Sequence, residues 1–190
     1  MEKKDLKIFI KIPPLRTART LMRRIRPQDL EDVYAYASDP RVSEYLLWYP
    51  HPNSSYTRDY LAYLDRMYRR GEFYDWGVEV DGHMIGTAGF TSFDLENNSA
   101  EIGYVLNRSW WGKGFATEVA RAVISFGFEI LELQRISARY LSGNDHSRRV
   151  MEKCNMLYEG IQRDGVRVKG GYSNVYVYSI TLPEYRKSKQ

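Results

Sequence analysis

Ser99–Phe128, SAEIGYVLNRSWWGKGFATEVARAVISFGF, is the stretch whose reading decides the fold. Its first eight residues alternate as a strand does, with Glu101, Gly103 and Val105 on one face. After NRSWWGKG the period changes, and Ala116, Val119, Ala120, Val123, Gly127 and Ile130 recur at helical spacing. A helix start leaves backbone N–H groups without partners and carries the positive end of the helix dipole. Gly112 and Gly114 let the chain curl close to an anion, Ala116 and Thr117 are small, and Lys113 adds a cation at the rim. Strand, glycine turn and helix together therefore suit a pyrophosphate. A Walker loop is excluded, because Lys113 is followed by Gly114 and not by Ser or Thr. A dinucleotide fingerprint fits poorly, since Thr117 stands where a third glycine or alanine belongs. A plain loop–helix junction accounts for the two glycines equally well.

Upstream, TLMRRIRP alternates as a strand, and Pro27 suits the first turn of a helix through QDLEDVYAYASD that Pro40 closes. A second helix follows PNSS, with Tyr60, Leu61, Leu64, Met67 and Tyr68 on one face and Gly71 as its stop. FYDWGVEV and HMIGTAGFTSF read as a hairpin joined at Asp81-Gly82, and LENN turns the chain into Ser99. Downstream come a strand at QRISARYL, a shorter helix from about Asp145, and two strands around LYEGIQRDG and SNVYVYSITL. The order β-α-α-β-β-β-α-β-α-β-β predicts an α+β fold, mixed and three-layered, not a doubly wound sheet. No repeat or linker divides the chain. We expect an N-terminal extension (1–14), a single domain (15–185) and a basic tail (186–190).

The hydrophobic fraction of 43% and charged fraction of 27% are those of a globular protein and exclude a disordered chain. No apolar run could span a bilayer, and MEKKDLKIFIKIPPLR mixes basic and apolar residues as a secretory leader does not. A cytoplasmic protein without membrane partners is expected. Cys154 is the only cysteine, and His51, His83 and His146 are scattered, so neither a disulfide nor a metal site is expected. Cys154 follows Met151 and Val150 at helical spacing, which suits a small buried residue better than a nucleophile. The net charge of +4 arises largely from Lys3–Arg26 and YRKSKQ. Such segments serve as solvated surface, as attraction for a phosphorylated ligand, or as an RNA- or ribosome-binding arm.

Four blocks, LRTARTLMRRIRPQD, MIGTAGF, AEIGYVLNRSWWGKGFATEV and NDHSRRVMEKCNMLYEG, occur in order from about Leu15 onward. In these blocks the sequence resembles the GNAT acetyltransferases, and within them the RimJ/RimL-like ribosomal-protein N-terminal acetyltransferases. The resemblance implies a twisted sheet of about seven strands splayed in a V, flanked by about four helices, with acetyl-coenzyme A in the opening. Trp111, Gly112, Lys113, Gly114, Phe115, Ala116 and Thr117 would hold the pyrophosphate, and Val105 and Leu106 would pair with the pantetheine arm. Asn144 would hydrogen-bond that arm, and Ser147 completes the second signature. The sequence departs from the family at three places. Trp111 replaces a Gln or Arg, Met151 stands where many relatives carry a tyrosine that protonates the leaving thiolate, and Asn155-Met156 replaces Gly-Phe.

Acetyl transfer to an amine requires a proton acceptor, a donor for the developing oxyanion and a partner for the departing thiolate. Glu101 is the candidate base, acting through a water, and a cross-strand ion pair is its alternative role. The N–H of Val105 or Leu106 is the expected oxyanion donor. Ser147 is the candidate donor to the thiolate, with a hydroxyl bonded to the helix backbone as the alternative. By analogy, Trp48, Tyr49, His51 and Phe93 would wall the acceptor site. The expected reaction is direct attack in a ternary complex on a protein or peptide N-terminal α-amine. A polyamine, an aminoglycoside or another small amine is the alternative acceptor, and a non-catalytic acetyl-coenzyme A-binding module or a ribosome-contacting protein are the other readings. The oligomeric expectation is a monomer or homodimer.

Overall fold

The alternating segments pair edge to edge into one open sheet, seen in a computed structural model that describes residues 5–189. Among these residues there are eight strands: β1 (Leu15–Arg16), β2 (Leu21–Arg23), β3 (Tyr74–Val80), β4 (His83–Asp94), β5 (Ser99–Leu106), β6 (Arg135–Leu141), β7 (Leu157–Val168) and β8 (Gly171–Thr181). Their spatial order is β1-β2-β3-β4-β5-β6-β8-β7, and only the β5–β6 pair is parallel. The helices are α1 (Leu30–Ala37), α2 (Pro40–Ser43), α3 (Ser54–Arg70), α4 (Phe115–Glu129), α5 (Asp145–Lys153) and α6 (Leu182–Ser188). The architecture is the splayed, mixed sheet that the sequence predicts.

Local chemistry sets the element ends. Asn53 caps α3 by accepting from Tyr56 N at 2.9 Å, and Gly71 stops it in the left-handed conformation at φ 69°. Asp81 and Gly82 turn the β3–β4 hairpin with φ of 50° and 83°. Three elements exceed expectation. LRTART folds back on itself to add β1, and Pro40 begins a new short helix as well as ending α1, because the Asp39 side chain accepts from Arg41 N. A capping box between Thr181 and Glu184 starts α6.

Strand alternation divides the core into two layers. On one face Trp76 and Phe90 pack against Phe126 of α4, with ring centroids 5.2 and 6.5 Å away. On the other face lie Asp75, Gly89, Gly103 and Glu101, on the side of α1 and α3. The domain is wider than expected at both ends. Residues 5–14 are no appendage, because Leu6, Phe9 and Ile12 are buried and Phe9 sits edge-on to Tyr74, Trp76 and Phe90. The basic tail begins inside α6, which docks through buried Tyr185, whose hydroxyl donates to Glu129 Oε1 at 2.7 Å.

A buried ion triad fixes α1 to the sheet. Arg23 on β2 makes a forked contact with Asp29 at 2.7 and 2.9 Å, and its Nε donates to Glu79 on β3 at 2.5 Å. Both Arg23 and Asp29 are buried, and the two carboxylates hold the guanidinium firmly charged. Asp29→Ala would leave that cation without its main partner. The expected loss is about 3–5 kcal/mol in urea unfolding, with Asp29→Asn losing less.

Candidate active site

The site is built where two strands part. The parallel β5–β6 ladder pairs Ser99–Ile102 with Arg135–Ala138 and stops there, while β6 stays on β8 through Leu141. Gly103–Leu106 therefore have β4 on one side and no strand on the other. Antiparallel register decides which peptide groups face the gap. Asn107 N donates to Ile85 O at 2.7 Å, which makes Leu106–Gly86 a non-hydrogen-bonded pair. Leu106 and, two residues back, Tyr104 thus turn their N–H and C=O into the gap, whereas Val105 bonds to Thr87 on β4. This shifts the expected strand contact from Val105 to Tyr104. The Leu106 carbonyl is already taken, since Trp111 Nε1 donates to it at 2.8 Å.

Below the gap the glycine turn enters α4. Gly112 and Gly114 adopt φ of 74° and 84°, a conformation that penalises other residues, and Gly114 is the helix N-cap. A Cβ added at Gly112 would meet nothing within 4 Å, so its φ and not crowding calls for glycine. Phe115 turns into the core, and Lys113 Nζ lies 4.9 Å from the Trp110 ring centroid. The loop is clamped from the β1–β2 turn, a contact that sequence reading missed. Glu118 accepts from Thr17 Oγ1 at 2.5 Å, Arg19 N at 2.8 Å and Arg19 Nε at 2.7 Å. Arg19 also donates to the Lys113 carbonyl at 2.9 Å and stacks 4.2 Å over Phe115. These hydrogen bonds hold the Glu118 carboxyl below its usual range despite partial burial. The guanidinium is about half exposed beside the cradle.

The start of α5 forms the opposite wall. Asn144 Oδ1 caps the helix by accepting from Ser147 N at 3.2 Å, while the Asn144 Nδ2 and Ser147 hydroxyl make no hydrogen bond among the described residues. Tyr104 reaches across, its hydroxyl donating to Ser147 O at 3.1 Å, and burial pushes that phenol well above its usual range. Met151 is buried behind them. Cys154 is buried too, which raises its thiol to about 11 and removes it as a nucleophile near neutral pH.

A cavity of about 210 Å³ lies at the gap, lined by residues from both faces of the sheet. Tyr104, Tyr140, Asn144, Ser147 and Met151 line it on the α5 side, and Glu101, Thr91, Arg139, Tyr45, Leu46 and Leu47 on the other. Glu101 does make the cross-strand ion pair, with Arg139 Nε 2.6 Å from its Oε2, and Thr91 Oγ1 donates to its Oε1 at 3.3 Å. None of the four expected acceptor walls lines the cavity. His51 is buried, shares a hydrogen bond with Thr57 at 2.9 Å and packs among Trp48, Tyr56 and Tyr60; burial lowers its pKa. Tyr49 is exposed on the rim with the Lys169 ammonium 5.9 Å from its ring. Phe93 lies on the opposite face, because a bulge at Thr91 reverses the alternation and sends it to Tyr74 and Phe90. The neighbouring Tyr45–Leu47 line the cavity instead, held under the β7–β8 turn, where Lys169 donates to Ser43 O.

The profile of the family described as acetyltransferase (GNAT) domain matches residues 19–157. The uncharacterized N-acetyltransferase p20 of Bacillus licheniformis is 35% identical over 173 residues, which is 90% of this chain and 97% of its own length. YdaF of Bacillus subtilis (strain 168), named as a candidate ribosomal N-acetyltransferase, is 30% identical over 172 residues, 88% of this chain and 94% of its own. A solved GNAT-family acetyltransferase from Bacillus anthracis superposes with a TM-score of 0.80 at 28% identity, covering 90% of this chain and 100% of its own. If the clamp shapes the anion cradle, Arg19→Ala should weaken coenzyme A binding roughly tenfold, about 1.4 kcal/mol, with Arg19→Lys intermediate. Titration calorimetry measures this directly.

Proposed function

The chain belongs to the GNAT acetyltransferase family, and from that premise we propose that it moves the acetyl group of acetyl-coenzyme A to the α-amine of a protein or peptide N-terminus. The donor assignment rests on the fit of the cradle. Two left-handed glycines and the bare start of α4 suit a pyrophosphate, and the unpaired edge of β5 suits an amide-bearing arm. Trp111–Thr117 would hold the former; the edge groups of Tyr104 and Leu106, with Asn144 Nδ2, would hold the latter. Acetyl-coenzyme A supplies the activated acyl group.

The observation that carries the acceptor reading is the character of the cavity. On its acceptor side the cavity is lined by Tyr45, Leu46, Leu47, Val166, Val175 and one ion pair, Glu101–Arg139, so that the lining itself carries no net charge. A polyamine brings several cations that an apolar, neutral wall leaves without partners. A peptide N-terminus brings one amine followed by a chain that exposed Leu47 and Tyr49 can receive. The name of the relative YdaF points the same way.

In this reading the protein side of the reaction divides among few groups. Glu101, both oxygens engaged, meets the amine through a water and draws off its proton. An α-amine with a pKa of about 7.7–8.0 yields that proton more readily than a lysine at about 10.4. The N–H of Tyr104 or Leu106 stabilises negative charge growing on the thioester oxygen. The free Ser147 hydroxyl donates to the departing thiolate, filling the role that Met151 cannot. Alanine-started peptides should be acetylated at their α-amine in preference to spermidine, and Glu101→Gln should lower kcat/KM by at least about 100-fold while coenzyme A binding persists. Faster turnover of spermidine than of any peptide would replace this acceptor with a small amine.

A further inference from the structure

Asp75 is a carboxylate on the acceptor face, apart from Glu101. It sits at the start of β3, paired across the sheet with Gly89, which pairs in turn with Gly103 on β5. Residues directly opposite one another share a face, so Asp75, Gly89 and Gly103 form one row on the acceptor side. Neither glycine puts a side chain into that row. Neighbouring side chains occupy the space instead: a Cβ built on Gly89 would lie 2.3 Å from Asp75 Oδ1, and one built on Gly103 would lie 2.8 Å from Thr91 Cγ2. The carboxylate thus lies over Gly89, one strand from the point where β5 loses its partner.

No cation among the described residues answers this charge. Asp75 makes no side-chain hydrogen bond or salt bridge among the described residues, although its backbone carbonyl accepts from Tyr68 at 2.6 Å. Its titratable neighbours are Tyr36 from α1 and Tyr60 and Tyr68 from α3, all phenols that burial holds above their usual range. Arg24 stacks over Tyr68 at 4.4 Å but spends its charge on Asp65 at 2.8 Å. His51, 5.3 Å from the Tyr60 ring, has its pKa lowered by burial, which disfavours its charged form. A partly buried carboxylate among aromatic rings, without a countercharge among the described residues, has the chemistry of an ammonium site.

We propose that Asp75 binds the incoming amine of the acceptor as its ammonium ion, among Tyr36, Tyr60 and Tyr68, and so presents it past Thr91 to the thioester at the edge of β5. This rests on the acetyl-transfer reading and divides the labour of two carboxylates: Asp75 sets acceptor affinity, and Glu101 acts at the attack point. Burial raises the Asp75 carboxyl to about 7, so it is ionised and able to attract an ammonium only above that pH. An α-ammonium persists to about 7.7–8.0, which makes acceptor binding tightest between the two values.

The test is acceptor KM from pH 6 to 9 with an alanine-started peptide, for the wild-type protein, Asp75→Asn and Asp75→Glu. Wild-type KM should rise below about pH 7. Asp75→Asn should raise KM about tenfold, abolish that acidic rise and change kcat less than threefold, the signature of a binding residue. Asp75→Glu should recover part of the affinity. The asparagine variant should fold. A raised carboxyl pKa removes stability as pH climbs from about 4 through 7, so Asp75→Asn should melt at or above the wild-type temperature at pH 8. Wild-type KM and pH dependence in Asp75→Asn would overturn the proposal while leaving acetyl transfer intact. If no peptide is acetylated at all, the parent reading fails. The carboxyl carbon resonance of Asp75, titrated with methylammonium, then decides alone: a shift in its pKa supports the ammonium site, and an unchanged curve overturns it.

Discussion

The structure depends on one interrupted ladder. A β-strand edge carries N–H and C=O groups that must find partners, and at Ile102 the parallel partner of β5 leaves. β6 does not end there; it follows β8 away, so the sheet opens without losing either arm. What remains is a row of backbone groups at Tyr104 and Leu106, ready to pair with any extended molecule that carries amides. The strands that diverge also carry the side chains that matter, Glu101 just before the parting on β5 and Arg139 just beyond it on β6.

The gap is lined from two chemically different faces of the sheet. The α4–α5 face offers an anion cradle and a helix start with free polar groups, suited to a phosphorylated donor. The α1–α3 face offers tyrosines, leucines and carboxylates, suited to an amine. In the proposed reaction, donor and acceptor would approach the opening from these two faces. Buried Cys154, the only cysteine, sits too high in pKa to act as a covalent relay. The N-terminal residues serve both layers: Phe9 fills the aromatic core, and the β1–β2 turn grips the cradle through Arg19 and Glu118.

Features fixed by short-range chemistry were legible in the sequence. The Asn53 cap and Gly71 stop of α3, the Asp81-Gly82 turn and the whole of Ser99–Phe128 fall where the residues place them. Features fixed by pairing were not. Which of Val105 and Tyr104 faces the gap depends on register with β4. Phe93 would share the face of Gly89 but for the bulge at Thr91. Arg139, Arg19 and Asp75 acquire meaning only through partners, or a lack of them, far along the chain. Tyr45–Leu47 line the cavity because the β7–β8 turn reaches over that loop, a contact with no local signature.

Amide hydrogen exchange with and without coenzyme A reads the free edge of β5 residue by residue. The N–H groups of Tyr104 and Leu106 should exchange quickly in the free protein and become protected on binding, together with those around Gly112–Thr117. The Val105 amide, already bonded to β4, should be slow in both states. Protection of Tyr104 and Leu106 before any ligand is added, or coenzyme A binding that leaves them unprotected, would contradict the open strand edge as the donor site.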